Sequence, residues 1–327
     1  MDKIRWGIMA TGRIAATFAD AVNYVEDAEL YACASRDEDR AKAFAEKFGV
    51  KKYYGDYEML ADDENVDVIY IASPMAQHYE QAKMCLLKGK NVLCEKTITL
   101  NGSQLAELID IADKQSVFFM EAMWTKFLPA FRQAKKWVAE GRIGTPKMIK
   151  ADFSNLCPFN AEDRLFKSSL GGGCLLDLGV YPITFACDFL GYEPAEIISN
   201  AYIGKSNVDF DASIILKYED SFAHLTAGFD IENQNPAFVI GDKGRIRLGD
   251  WFFCTTEAML YDDDGNLLEH FRKPHLKNGY EFEIMEVHEC LKQGKKQSDI
   301  NSLYHTTATM KIMDECRKQW GLRFDGE

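Results

Sequence analysis

Four short segments hold glycine, hydroxyl, guanidinium and ammonium groups at spacings that could do chemistry. The first, Ala10-Thr11-Gly12-Arg13-Ile14-Ala15, is a degenerate GxGxxG with alanine at both outer positions. Its middle glycine lets the backbone approach a pyrophosphate, and a helix starting there offers N–H groups and the positive end of its dipole. A tight strand–helix turn without a ligand uses the same residues. Position favours a dinucleotide, because the pattern follows the first strand of a βαβ unit. The second segment is Ala34-Ser35-Arg36-Asp37, with Arg40 one turn further on. An NAD-specific site places an acidic residue at this strand end for the ribose 2′-hydroxyl. A hydroxyl and a guanidinium suit a 2′-phosphate instead. One charge-assisted contact is worth ~1.5–3 kcal/mol, roughly tenfold to hundredfold in favour of NADP(H). The competing arrangement leaves Arg36 solvated and Asp37 capping the next helix. Ser73-Pro74-Met75-Ala76-Gln77-His78 and Glu95-Lys96-Thr97 each follow a buried strand, where open α/β sheets bind ligands. A lysine there points at a bound group or pairs with Glu95, since an unpaired buried ammonium is costly.

These segments need a frame that brings strand ends together. Ile4–Met9, Leu30–Ala34, Val66–Ala72, Asn91–Cys94 and Val117–Met120 are short apolar runs. Between them, Ile14–Tyr24, Asp37–Phe48, Gln77–Leu87 and Ser103–Asp113 repeat apolar residues at helical spacing. The alternation predicts an α/β Rossmann domain over residues 1–123, a doubly wound parallel sheet. After a helix at Pro129–Glu140, strand-like runs follow one another at 147–153, 197–203, 212–218, 222–229, 237–240, 245–248 and 258–261. Turn signals at 241–244 and 262–265 separate some of them. Residues 124–327 therefore read as an α+β domain with a large, mostly antiparallel, open-faced sheet, closed by helices at Tyr280–Lys292 and Ser302–Trp320.

Composition narrows the partners. A length of 327 residues suggests two domains. The net charge of −13 argues against nucleic acid and anionic membranes, which are negative themselves. Nine cysteines without a CxxC pair read as reduced thiols, not a disulfide framework. The first ten residues read as a strand rather than a signal peptide, and no apolar run approaches the ~18 residues of a membrane span. A cytoplasmic protein is expected. No metal site is expected either: His270 and His275 lack partners at ligand spacing, and Asp262-Asp-Asp-Gly265 lacks the other ligands of a calcium loop.

Together with Glu121-Ala-Met-Trp-Thr-Lys-Phe127, the four segments resemble the glucose–fructose oxidoreductase / inositol dehydrogenase (Gfo/Idh/MocA) family over essentially the whole chain. The likeness is strongest to its dimeric dihydrodiol dehydrogenase / NADP-dependent D-xylose dehydrogenase branch. It directs attention to Gly171-Gly-Gly-Cys-Leu-Leu-Asp177-Leu-Gly179-Val-Tyr181-Pro182. Glycines free the backbone ahead of a helix, and Asp177 and Tyr181, four apart, share a helical face. A first-turn acid and a packed tyrosine fit the same spacing. In the family such a face looks toward nicotinamide and substrate. The resemblance thus implies Tyr181 as acid/base, Lys96 as its electrostatic partner and Asp177 as a substrate-orienting group. A free phenol has a pKa near ~10, and a neighbouring ammonium lowers it.

The resemblance also implies cofactor contacts from Ala10, Thr11, Gly12, Arg13, Ile14, Ser35, Arg36, Arg40, Ser73, Pro74, His78, Glu95, Lys96 and Trp124. It implies a substrate surface from Trp124, Phe153, Asp177 and Tyr181, although Trp124 fits plain core equally. The pattern departs from the wider family at Ala10 (usually Gly), Met75 (usually Asn), Thr97 (usually Pro) and Tyr181 (frequently His); the last two match the named branch. The implied reaction moves a hydride between nicotinamide and a sugar, polyol or cyclic diol CH–OH/C=O group. NADP(H) is preferred, NAD(H) is possible, and the molecule is a homodimer through its C-terminal sheet. Two alternatives stay open: reduction of a sugar-derived dicarbonyl, and a non-catalytic nucleotide-sensing regulator. The presence of Lys96, Asp177 and Tyr181 weighs against the regulator.

Overall fold

The computed structural model describes residues 3–324. Its contacts divide the chain into two compact units: residues up to Trp124 with His275–Thr306, and Thr125–Pro274 with the residues from Thr307 onward. In the first unit, β1 (Ile4–Met9), β2 (Ala28–Ala34), β3 (Lys52–Tyr54), β4 (Val68–Ile71), β5 (Asn91–Glu95) and β6 (Phe119–Ala122) form a parallel sheet ordered β3-β2-β1-β4-β5-β6. The winding reverses between β1 and β4, which opens a crevice at their carboxyl ends. Helices α1 (Arg13–Val22), α2 (Glu38–Phe48), α3 (Tyr57–Asp62), α4 (His78–Leu87) and α5 (Gly102–Gln115) connect the strands. β4 and β6 are buried at every residue, as in a sheet covered on both faces. β3 and α3, absent from the sequence reading, have three and six residues, too few for a periodic signal.

A single boundary after residue 123 assigns the later chain to one domain, yet the segment from His275 to Thr306 returns to the first unit. The physical reason is α8 (Glu281–Lys292), which buries Ile284, Val287 and His288. Trp6 donates its indole N–H to His288 Nε2 at 2.9 Å, and His288 Nδ1 lies 2.9 Å from Asp27 Oδ1. Beyond the helix, Lys296 O accepts from Phe119 N at 3.0 Å and so occupies the open edge of β6. Covering an edge in this way removes a pairing template.

The second unit holds β7 (Pro146–Ser154), β8 (Glu196–Ile203), β9 (Asp209–Lys217), β10 (Phe222–Gly228), β11 (Ala237–Gly241), β12 (Gly244–Leu248), β13 (Glu257–Asp262) and β14 (Leu267–Arg272). They form one sheet ordered β14-β13-β12-β11-β7-β10-β9-β8, antiparallel except where β10 pairs with β7. β14, missed from the sequence, is largely exposed and shows little alternation. Helix α6 (Pro129–Ala139) packs on β12 and β13, and α7 (Val180–Leu190) packs on β7 and β10. One face of the sheet is apolar and buried, with Ile149, Leu225, Val239 and Ile246 among its residues. On the other, Ile198, Ile215, His224, Lys150, Phe238 and Arg247 lie opposite one another in register across six strands.

The expectation that no apolar stretch approaches the length of a membrane span needs correcting. The helical stretch Ser168–Leu190 is long and apolar enough to cross a bilayer by length and composition. Its apolar window is 83% buried, and buried core helices pass the same test.

Candidate active site

The strand order gathers the cofactor candidates at one edge of the first sheet. Ala10–Ile14 follow β1, Ser35 and Arg36 follow β2, Ser73–His78 follow β4, Lys96 follows β5 and Trp124 follows β6. Ala10 has φ +73, the left-handed conformation for which glycine is the usual choice. An alanine adopts it at a cost of roughly 1–2 kcal/mol. Gly12 begins α1, and a Cβ placed on it meets nothing within 4 Å, so the backbone there is open to approach. α1 has no side-chain cap and no acidic residue in its first turn. By contrast, α2 is capped by Asp37, α3 by Asp56 and α5 by Asn101. The hydroxyl of Thr11 is buried without a hydrogen-bond partner among the described residues. Uncapped N–H groups, an orphaned hydroxyl and an open glycine fit a dinucleotide pyrophosphate.

At the end of β2, Ser35 is buried and its Oγ accepts from Asp37 N at 3.3 Å. Asp37 caps α2 by accepting from Arg40 N, so the capping arrangement is present alongside the guanidinium groups. Arg36 and Arg40 are exposed and both act on Tyr57, whose phenol burial pushes up against the pull of the two cations. Two guanidinium groups converging at a helix N-terminus fit a phosphate. Tyr57 was not found from sequence, since it lies in the short α3.

His78 sits between two of the strand-end loops. Its ring nitrogens lie 2.8 and 2.9 Å from the carbonyl oxygens of Thr97 and Ser73. The side chain is 1% exposed, so it brackets the loops after β4 and β5. Ser73 Oγ donates to Gln81 at 2.6 Å, Thr97 Oγ1 donates to Met75 Sδ at 2.9 Å, and Pro74 is exposed. Met75, where the family usually has Asn, thus joins the loops after β4 and β5 through its sulfur. Tyr70 donates to Glu95 Oε1, while Glu95 Oε2 accepts from Lys96 N at 3.2 Å. Burial, then the charge of Glu95, pushes the carboxyl of Glu283 well above the usual range. Trp124 is 8% exposed and stacks on Tyr280 with centroids 4.7 Å apart. The loop before Tyr280 is organised by Glu281. Burial raises its carboxyl, but N–H groups from Leu276 to Gly279 outweigh that and hold it below its ordinary value.

In the second unit, the helical face expected for Asp177 and Tyr181 has a different geometry. Leu175–Gly179 is a π turn, closed by i→i+5 bonds, and the α period begins only at Val180. Such turns are frequent at functional sites. Asp177 accepts from Arg164 Nη1 at 3.2 Å. Tyr181, 8% exposed, lies against Phe153 and Phe253 with centroids 5.4 and 5.3 Å away. Phe153 and Phe253 stack at 4.1 Å, and Phe253 O accepts from Thr125 Oγ1 at 2.7 Å. Arg164 and Phe253 escaped the sequence reading. The aromatic run Trp251-Phe-Phe253 between two strands was the available signal for the latter.

A doubly wound sheet in this order, with a phosphate-ready first turn, and a second unit whose π turn carries a carboxylate and whose following helix carries a phenol define a dinucleotide-dependent oxidoreductase. Residues 4–123 match the model of an oxidoreductase family with an NAD-binding Rossmann fold, and residues 131–247 match the GFO/IDH/MocA C-terminal domain. The chain is 34% identical over 328 residues to trans-1,2-dihydrobenzene-1,2-diol dehydrogenase from Xenopus laevis, covering 98% of this chain and 99% of the relative. It is 33% identical over 336 residues to the protein of that name from Homo sapiens, covering 98% of each. A 3-ketoreductase from Actinomadura kijaniata, solved with NADP and TDP-benzene, superposes with a TM-score of 0.87 at 26% identity, over 97% of this chain and 98% of its own. The chain belongs to the Gfo/Idh/MocA oxidoreductase family, and it is an NAD(P)-dependent enzyme.

Proposed function

We propose that this enzyme prefers NADP(H) and interconverts CH–OH and C=O groups of a sugar, polyol or cyclic diol, with Tyr181 as acid/base. The named relatives support the substrate class: one acts on a dihydrodiol and the other is a ketoreductase. The bound nicotinamide supplies the hydride chemistry. Gly12, Thr11 and the N-terminus of α1 bind the pyrophosphate, Ser35, Arg36 and Arg40 bind the 2′-phosphate, and His78 holds the strand-end loops in place. Tyr181 holds and moves the proton of the substrate oxygen, and the charge of Lys96 favours the phenolate that this requires. Asp177, oriented by Arg164, fixes the substrate hydroxyl. Phe153 and Phe253 exclude water from the phenol and offer a flat apolar wall to a ring.

What supports the reading most is the phenol of Tyr181, packed against the stacked pair Phe153 and Phe253 in the helix that follows the π turn of Asp177. Nicotinamide absorbance over a panel of aldoses, inositols, cyclic diols and dicarbonyls, with both cofactors, tests it. Turnover of a diol or aldose with NADP supports the proposal. Turnover confined to dicarbonyls selects the reductase alternative, and no turnover of any member contradicts the proposal.

The same proposal takes the exposed sheet face of the second unit as a homodimer surface. Phe222 on β10 and Ile198 and Tyr202 on the edge strand β8 are 41%, 48% and 57% exposed, apolar area that a partner copy would cover. A monomer mass by light scattering at micromolar concentration would refute this. Nine thiols, none of them paired in a disulfide, support a reducing cytoplasmic location.

A further inference from the structure

The π turn that carries Asp177 begins at Leu175, after the flanking Cys174, and has no side-chain cap of its own. Its first N–H groups need a partner, because buried backbone donors are costly to leave unmet. The partner comes from β9. Leu175 N donates to Asp209 Oδ2 at 2.6 Å, across 34 positions of sequence. Asp209 is 1% exposed and stands at the first residue of its strand. Gly173 completes the fit: its φ is +124, and a Cβ there would lie 2.1 Å from Asp209 Oδ1. Only glycine lets the turn and the carboxylate come this close.

We propose that Asp209 is a positioning residue: its carboxylate caps the π turn from outside and sets the orientation in which Asp177 and Tyr181 are presented. This rests on the roles proposed above for those two residues. A carboxylate at a helix N-terminus is stabilised by the dipole and by the bond to the first turn. The groups that face it are the thiols of Cys174 and Cys316 and the guanidinium of Arg317, while the carboxyl of Asp211 bears on Cys174 in turn. Burial pushes both thiols up, so they stay neutral near pH 7 and Arg317 is the cation nearby. Burial also raises the Asp209 carboxyl, to about 6, so the cap is charged at neutral pH and loses its charge in mild acid.

Asp209→Asn keeps the shape and one acceptor oxygen while removing the charge. Amide hydrogen exchange of a peptide covering 174–181, the melting temperature, and kcat and KM across pH 5–8 are measured on this variant and on Gly173→Ala. The expected result is faster exchange in that peptide alone. With it, kcat falls about tenfold to a hundredfold while KM holds, as for a small misplacement of catalytic groups. The wild-type loss of kcat below about pH 6 should be absent in Asp209→Asn. Unchanged exchange with unchanged kcat overturns the proposal, and so does a melting-temperature drop with the pH profile intact. If exchange rises and kcat does not fall, Tyr181→Phe separates the causes. An inactive Tyr181→Phe means Asp209 does not position it, and an active one means Tyr181 was never the acid/base. Should Asp209→Asn fail to fold, Gly173→Ala and the wild-type acid limb carry the same decision.

Discussion

In the first unit, five chain segments reach the cofactor edge because every parallel strand ends there; in the second, Asp177 and Tyr181 depend on one turn of one helix. The first arrangement is redundant. Backbone N–H groups, hydroxyls and two guanidinium groups share the load, and losing one contact leaves the others in place. The second is not. Its turn meets Asp209 beside Gly173, its carboxylate meets Arg164 and its phenol lies against two rings, all within one short stretch of chain. Binding is thus spread over a sheet edge, and the proposed proton chemistry is concentrated in a few packed residues.

Gly12 is the position where redundancy should fail, and it carries the largest effect expected in the first unit. Gly12→Asp sets a carboxylate in the open space where the pyrophosphate approaches. Like charges at such range, in a partly desolvated site, cost several kcal/mol, so NADPH affinity should fall by roughly 10²-fold or more. Fluorescence titration measures it, and a small loss would mean the phosphate lies elsewhere. Arg36→Ala is the milder probe. It should reduce the ratio of NADP to NAD affinity by about tenfold, and adding Arg40→Ala should deepen the loss, because both bear on the same spot. An unchanged ratio in the double variant would make both arginines plain surface charges.

The smallest effect concerns pH and stability, where the units should differ in sign. Burial lowers the pKa of His288, and its Nε2 must stay unprotonated to accept from Trp6. The unfolded chain therefore binds this proton more readily, and the stability due to His288 is lost as pH falls below about 6.5. Asp209 behaves oppositely, with a folded value raised to about 6. The folded chain then binds this proton more readily, so its contribution improves as pH falls through 6 toward the ordinary carboxylate value. In urea melts from pH 5 to 7.5, His288→Gln should remove an acid-side loss of stability, whereas Asp209→Asn should make that loss steeper. Identical pH dependence in both variants and the wild type would remove the distinction.

The first unit was legible in the sequence for a physical reason. Buried parallel strands are apolar runs, and the residues just past each strand lie at the ligand edge, so Gly12, Ser35, Arg36, Ser73 and Lys96 could be placed by counting. The short β3 and α3 left no periodic trace, and Tyr57 was lost with them. The return of α8 was invisible because its Trp6–His288–Asp27 chain joins residues up to 282 positions apart. In the second unit the strands were legible, but Asp177 and Tyr181 were singled out only by family resemblance. The α-helical spacing that linked them does not hold, because a π turn intervenes. Neither Asp209 nor Arg164 carries any local pattern. Each meets the site through a contact that only the fold creates.

Tyr181→Phe tests the central claim most directly, because it removes one oxygen and leaves the ring against the Phe153–Phe253 pair. NADP affinity should hold, while kcat and kcat/KM fall together by roughly 10²–10⁴-fold, the size of a lost general acid–base contribution. Lys96→Met, measured alongside, should move the phenol-linked break in the wild-type pH–rate profile upward. Near-normal turnover in Tyr181→Phe would contradict the account and place the proton donor elsewhere.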